Sequence, residues 1–114
     1  MAITANELRI GNWVNNNEEY YQITSSTIAQ LERGDSNAKS IPINEDWLLK
    51  FGFTQSPAFK NIYFKGTFLN ITLGNKIMFE INDQIISEIK YIHQLQNLYF
   101  ALTGKELKYG NNPD

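Results

Sequence analysis

The sequence predicts a single α+β domain. Its expected parts are a small, curled, SH3-like antiparallel sheet at the N-terminus, a short helix, and a three-stranded antiparallel meander covered by a C-terminal helix. Three observations predict this class. Apolar residues alternate with period two, between turn signals, over residues 59–82. They recur with helical period over residues 89–102. A chain of 114 residues, 42% apolar and 13% aromatic, is long and apolar enough to bury one ordinary core.

The elements follow in order. Thr4-Ala5-Asn6-Glu7 has the spacing of a capping box and opens a short helical turn. Residues 8–14 read as a strand. Asn15-Asn16-Asn17 reads as a turn, because asparagine tolerates left-handed backbone. Residues 20–24, rich in aromatic and β-branched side chains, form the second strand, and 27–31 the third. Gly34-Asp35-Ser36-Asn37 is an exposed loop. Ile41-Pro42-Ile43 is extended, since proline disfavours helix in the residue before it. Asn44 then caps a helix over 45–51, with Glu45 and Asp46 in the first turn, where the helix dipole favours negative charge. Trp47, Leu48 and Phe51 form its apolar face, and Gly52 ends it in the left-handed region.

The meander comprises strands at 59–65, 67–73 and 77–82. A two-residue turn at Lys65-Gly66 pairs Phe64 with Thr67 and Ile62 with Leu69. At the next turn, a three-residue loop Gly74-Asn75-Lys76 opposes Leu73 with Ile77, Ile71 with Phe79 and Leu69 with Ile81. A two-residue loop there would set Leu69 against Glu80 and mix the faces. In this register Ile62, Phe64, Leu69, Ile71, Leu73, Ile77, Phe79 and Ile81 face the core. Phe59, Tyr63, Lys65, Phe68 and Met78 face the other way, with Tyr63 directly opposite Phe68. The last helix, over 89–102, carries the stripe Ile92, Leu95, Tyr99 and Leu102, with Lys90, Gln94 and Asn97 opposite and Gly104 as cap. Residues 108–114 read as a disordered tail, and a loose subdivision falls near residue 40.

Several chemistries lack their residues. The chain has no cysteine, which removes disulfides, thiolate metal sites and a cysteine nucleophile. The one histidine, His93, sits near Gln96 and Phe100 and reads as a half-buried helix residue. An enzyme built on His93 with Glu88 is the least favoured function. Glu80 and Asp83 are an odd number of residues apart, so a regular strand points them to opposite faces. The glycines are isolated, and no phosphate-cradling loop occurs. No catalytic residue, metal site or cofactor is therefore expected. Residues 1–20 are too polar for a signal peptide, and no apolar run approaches the roughly 20 residues a membrane span needs. A cytoplasmic protein without a membrane partner is expected. The formal charge of −2 does not suit a general polyanion binder.

What remains is a surface. Phe59, Tyr63, Lys65 and Phe68 are the expected partner-binding residues, because an apolar patch on a wet sheet face marks an interface. The competing structural role is packing beneath the N-terminal strands, with Trp13 and Tyr21. A further reading is stacking of single-stranded bases, with Lys60 and Lys65 interleaved. A small nucleic-acid binder would add a basic stripe from Arg9, Lys60, Lys65 and Lys76.

Three phrases carry a resemblance. They are Leu8-Arg9-Ile10-Gly11-Asn12-Trp13-Val14, then Ile41-Pro42-Ile43 running into Trp47-Leu48-Leu49-Lys50-Phe51-Gly52-Phe53, and finally the stretch from Ile89 to Gly104 that contains Tyr91-Ile92-His93-Gln94-Leu95-Gln96-Asn97. In this order they resemble a family of small proteins carried by phages and prophages, for most of which no activity is assigned. Residues 54–88 are not part of the resemblance, and it transfers no catalytic residue. It implies a context in the bacterial host, where small phage-borne proteins without enzyme motifs act by blocking host machinery. Anti-CRISPR proteins are the prominent class. The expectation is an anti-defence inhibitor that binds a CRISPR effector or its guide RNA complex, with any nucleic acid met through that partner.

Overall fold

The structure, a computed structural model, describes residues 3, 5–17 and 19–110. It is α+β, as the sequence predicts, with a two-stranded and a five-stranded antiparallel sheet. The chain divides into two compact units. One comprises residues 1–42 and 91–104, the other residues 43–90 and 105–114. The expected capping box at Thr4 and the tail beyond residue 110 lie outside the described residues.

In the first unit, a 3₁₀ turn Ala5–Glu7 leads to strands β1 (Trp13–Asn15) and β2 (Tyr20–Gln22), which pair Val14 with Tyr21. The expected third strand is instead helix α1, Ser25–Arg33. Thr24 caps it: its hydroxyl accepts from the Thr27 amide, while the Thr27 hydroxyl accepts from the Thr24 amide, both at 3.3 Å. Threonine stands here where a capping box usually has glutamate, which hid the signal. Gly34, at φ 78°, ends the helix. The SH3-like curled sheet is thus a hairpin plus a helix. Ile28 and Leu31 of α1 pack on Leu8, Val14, Ile23 and Ala38.

Helix α3 (Ile92–Thr103) belongs to the same unit and begins three residues later than expected, because Ile89 ends a strand. Ile92, Leu95 and Tyr99 of its predicted stripe are buried, but Leu102 is exposed. His93 and Gln96 are buried in its place, so the inward face is rotated and more polar than apolar periodicity implies.

In the second unit, Asn44 caps helix α2 (Glu45–Lys50), accepting from the Trp47 amide at 3.0 Å, and Gly52 follows at φ 87°. Both agree with the sequence, as does burial of Trp47, Leu48 and Phe51. The sheet runs β3 (Thr54–Gln55), β4 (Ile62–Lys65), β5 (Leu69–Thr72), β6 (Ile77–Ile81) and β7 (Gln84–Ile89), neighbours in that order. β7 extends the expected meander. Its turn, Asn82-Asp83, has φ 51° and 65°, the two left-handed residues of a tight hairpin.

The β5–β6 register is the expected one, with Ile71 opposite Phe79 and Leu69 opposite Ile81. The β4–β5 register is not. Lys65 pairs with Leu69 and Tyr63 with Ile71, so the loop is Gly66-Thr67-Phe68, with Gly66 at φ 69°. The slip is odd-numbered, and every β4 side chain changes face. Residues 105–110 do not fray either: Leu107 is buried, Tyr109 meets the Trp47 ring edge-on at 5.3 Å, and the Gly110 amide donates to the Lys50 carbonyl at 2.8 Å.

Candidate interaction surface

The register decides where the four expected contact residues lie. Tyr63 is in the core, 2% exposed. Its hydroxyl donates to the Glu45 carboxylate at the start of α2 and meets Gln55 Nε2 at 3.3 Å. The bond to Glu45, and secondly burial, push its pKa up to about 12. The assignment of Tyr63 to an outward face is therefore corrected. An aromatic ring can occupy a core when its hydroxyl has a partner, and here it does. Lys65 shares that face; its ammonium donates to the Phe51 carbonyl at 3.1 Å, closing the end of α2.

Phe59 and Phe68 are exposed, at 61% and 41%, and lie in the turns before and after β4 rather than on the strand. Tyr63 does not face Phe68 either; Phe68 is in the hairpin loop, where its carbonyl accepts from the Asn82 amide of the next turn.

The other sheet face carries what the sequence reading missed. One row across the strands is Thr54, Phe64, Asn70, Glu80 and Ile85. The next is Ile62, Thr72, Met78 and Glu88. Phe64 and Ile85 are exposed at 41% and 63%, while Ile62 and Met78 are half-buried. Thr72 donates to the Glu80 carboxylate at 2.8 Å. Glu88 is exposed. The two rows contain two carboxylates and no lysine or arginine. The signal that could have found this face was Asn82-Asp83, a tight-turn dipeptide that would have revealed β7 and its partners.

In the first unit, the residue types that suggest chemistry are tied into structure. His93 is 1% exposed; its Nε2 lies 3.2 Å from a Glu7 carboxylate oxygen, and Tyr91 stacks on its ring at 5.9 Å. Its carboxylate neighbour is thus Glu7 and not the expected Glu88. Burial lowers its pKa, against the opposing pull of Glu7. Arg9 Nε and Asn12 Nδ2 both donate to Asn97 Oδ1 at 2.8 Å, and the guanidinium lies 4.6 Å over the Phe100 ring. Gln96 accepts from the Trp13 amide at 2.7 Å and donates to the Gly11 carbonyl at 3.2 Å. Arg9 and Lys65, two members of the expected basic stripe, are therefore engaged within different units.

A polar cleft of about 370 Å³ at the β1–β2 hairpin is lined by Asn15, Asn17, Glu19 and Tyr20. No three metal-ligating side chains gather around one point among the described residues. No helix there is long and apolar enough to cross a membrane. No protein-family model matches the chain, and neither a curated protein nor a solved structure matches it significantly.

Proposed function

We propose that this protein acts by binding, as a phage-borne inhibitor of host defence, and that its partner is a CRISPR effector or its guide RNA complex. The observation that supports a binding role is the set of large apolar side chains left exposed around one sheet, Phe59, Phe64, Phe68 and Ile85. Full burial of such a side chain contributes about 1.5–3 kcal/mol, and a partner would recover the part of it that their exposure leaves unrealised. The anti-defence context comes from the phage-type phrases at Leu8–Val14, Ile41–Phe53 and Ile89–Gly104. Arg9 and Lys65 each donate to partners within their own unit, which weighs against their use as phosphate contacts in the nucleic-acid reading.

Two linked assays test this reading. Tagged protein is incubated with purified effector complexes, with and without nuclease, and phage survival is scored in a CRISPR-immune host expressing the protein. Nuclease-resistant co-elution together with restored plaque formation is expected. Recovery of nucleic acid alone, or full immunity in the presence of the folded protein, would overturn it.

A further inference from the structure

We propose that the loop between β3 and β4 is a preorganised anchor, whose Phe59 ring enters a concave apolar pocket on a folded protein partner. This names the contact within the binding role above and rests on it. Phe59 is 61% exposed, so its ring adds little to the core. Its backbone is nevertheless held by bonds on both sides. The buried Ser56 hydroxyl accepts from the amides of Ala58 and Phe59, both at 3.2 Å. The Phe59 carbonyl accepts from the Ile62 amide at 3.2 Å, and the Ile62 carbonyl from the Ser56 amide at 2.8 Å. The Gln55 side chain donates to the Lys60 carbonyl at 2.7 Å. The Asn61 carbonyl accepts from the Leu73 amide at 2.8 Å, and the Asn61 side chain donates to the Leu73 carbonyl at 3.2 Å. Pro57 removes one more backbone rotation.

None of these bonds involves the Phe59 ring. They fix the loop and leave the ring outside. A partner that buries the ring therefore has little loop to order on binding, and the apolar gain is kept as affinity. Aromatic side chains seated in pockets dominate interface energies, which suits a single projecting ring. Charge does not choose the occupant. Lys60 is exposed on the loop, while the Glu45 carboxylate is reached from Gln55 through the Tyr63 hydroxyl. Such mixed charge suits neither a phosphate backbone nor an anionic lipid surface, both of which call for clustered basic residues. A convex ring on a fixed loop needs a concave apolar counterpart, and a folded protein supplies one.

The test places a photoreactive benzoyl-phenylalanine at position 59 of the full chain, or at position 85 as control, and irradiates it in the CRISPR-immune host. A protein adduct is expected from position 59 and none from position 85. Against that protein, purified, Phe59→Ala should lower affinity about thirtyfold, the loss of one anchor residue, with little change on added salt. Phe59 is outside the core, so the variant should keep the parent melting temperature. Nitrogen relaxation of the free protein should show residues 58–61 as ordered as β4. A nucleic-acid or lipid adduct, no adduct, unchanged affinity in Phe59→Ala, or a mobile loop would overturn the proposal. The two readings fail separately. If the adduct is a protein other than a CRISPR effector and Phe59→Ala weakens its binding, the anti-defence function is lost and the anchor stands. If the effector binds and Phe59→Ala leaves that unchanged, the function stands and the anchor is misassigned.

Discussion

At the scale of single residues, the buried polar groups of the first unit explain why certain side chains sit where apolar periodicity would not put them. Gln96 spans the Gly11 carbonyl and the Trp13 amide, and Asn12, fully buried, joins the Arg9 amide to Asn97. Replacing Gln96 with leucine removes one hydrogen bond from each of these backbone groups, although Gln22 still donates to the Gly11 carbonyl at 3.0 Å, and should cost about 1–2 kcal/mol by chemical denaturation. His93 gives a pH prediction. Its folded pKa lies below the ordinary 6.5, so the unfolded chain binds the proton more readily. Its contribution is present above about pH 6.5 and is lost as pH falls below that value. The melting temperature should drop between pH 7 and 5 by more than it does in His93→Gln. Tyr63 behaves oppositely in sign. Its pKa is raised from 10.0 to about 12, so its contribution is complete below pH 10 and is lost as pH rises through about 12. Tyr63→Ser should destabilise by about 3–5 kcal/mol as a core truncation, whereas Phe68→Ser should stay within about 0.5 kcal/mol. Equal small effects would return Tyr63 to the surface.

At the scale of elements, turns decided more than strands. The run Ile62-Tyr63-Phe64 is apolar throughout, so hydrophobic pattern could not choose which face turned inward. Gly66 chose it, by adopting the left-handed backbone of a three-residue loop. The β5–β6 hairpin was legible because Glu80 penalised the two-residue loop, which would have set it against Leu69. The β6–β7 turn carries Asp83 at φ 65°, where a side chain is strained. Asp83→Gly should therefore raise stability by about 0.5 kcal/mol, after the entropic cost of glycine. A lower melting temperature would show that the Asp83 side chain makes a compensating bond. α1 was misread because its apolar content is slight; its stability rests on Thr24, Thr27 and Gly34 at the ends, together with the packing of Ile28 and Leu31.

At the scale of the whole molecule, the chain order interleaves the two units. The first takes residues 91–104 from beyond the second, and the second takes 105–114 from beyond α3. Each is therefore built from two separate segments of the chain. A truncation after residue 90 removes Gln96 and Asn97 from Asn12, Trp13 and Arg9, and removes Tyr109 from Trp47. The truncated chain should lose the dispersed NMR signals of residues 8–31, a region whose own hairpin and helix bury too little surface to stand alone. A cut near residue 42 cannot release two autonomous domains for the same reason. Leu8–Val14 and the His93–Asn97 stretch are the two halves of one hydrogen-bonded junction, so a truncation that removes either half breaks it.

The sequence by itself determined the α+β class, helix α2 with both its caps, the β5–β6 register, and the want of cysteine. Each of these rests on local chemistry: a capping asparagine, a terminating glycine, and an alternation broken by one glutamate. Only the tertiary structure decided the register of β4, the burial of Tyr63 and His93, and the union of α3 with the N-terminal strands. Those depend on partners far along the chain, Glu45 at 18 residues from Tyr63 and Glu7 at 86 from His93, and on a loop backbone that no side-chain pattern announces. The candidate surface followed from that decision, since one slipped hairpin exchanged Tyr63 for Phe64 on the open face of the sheet.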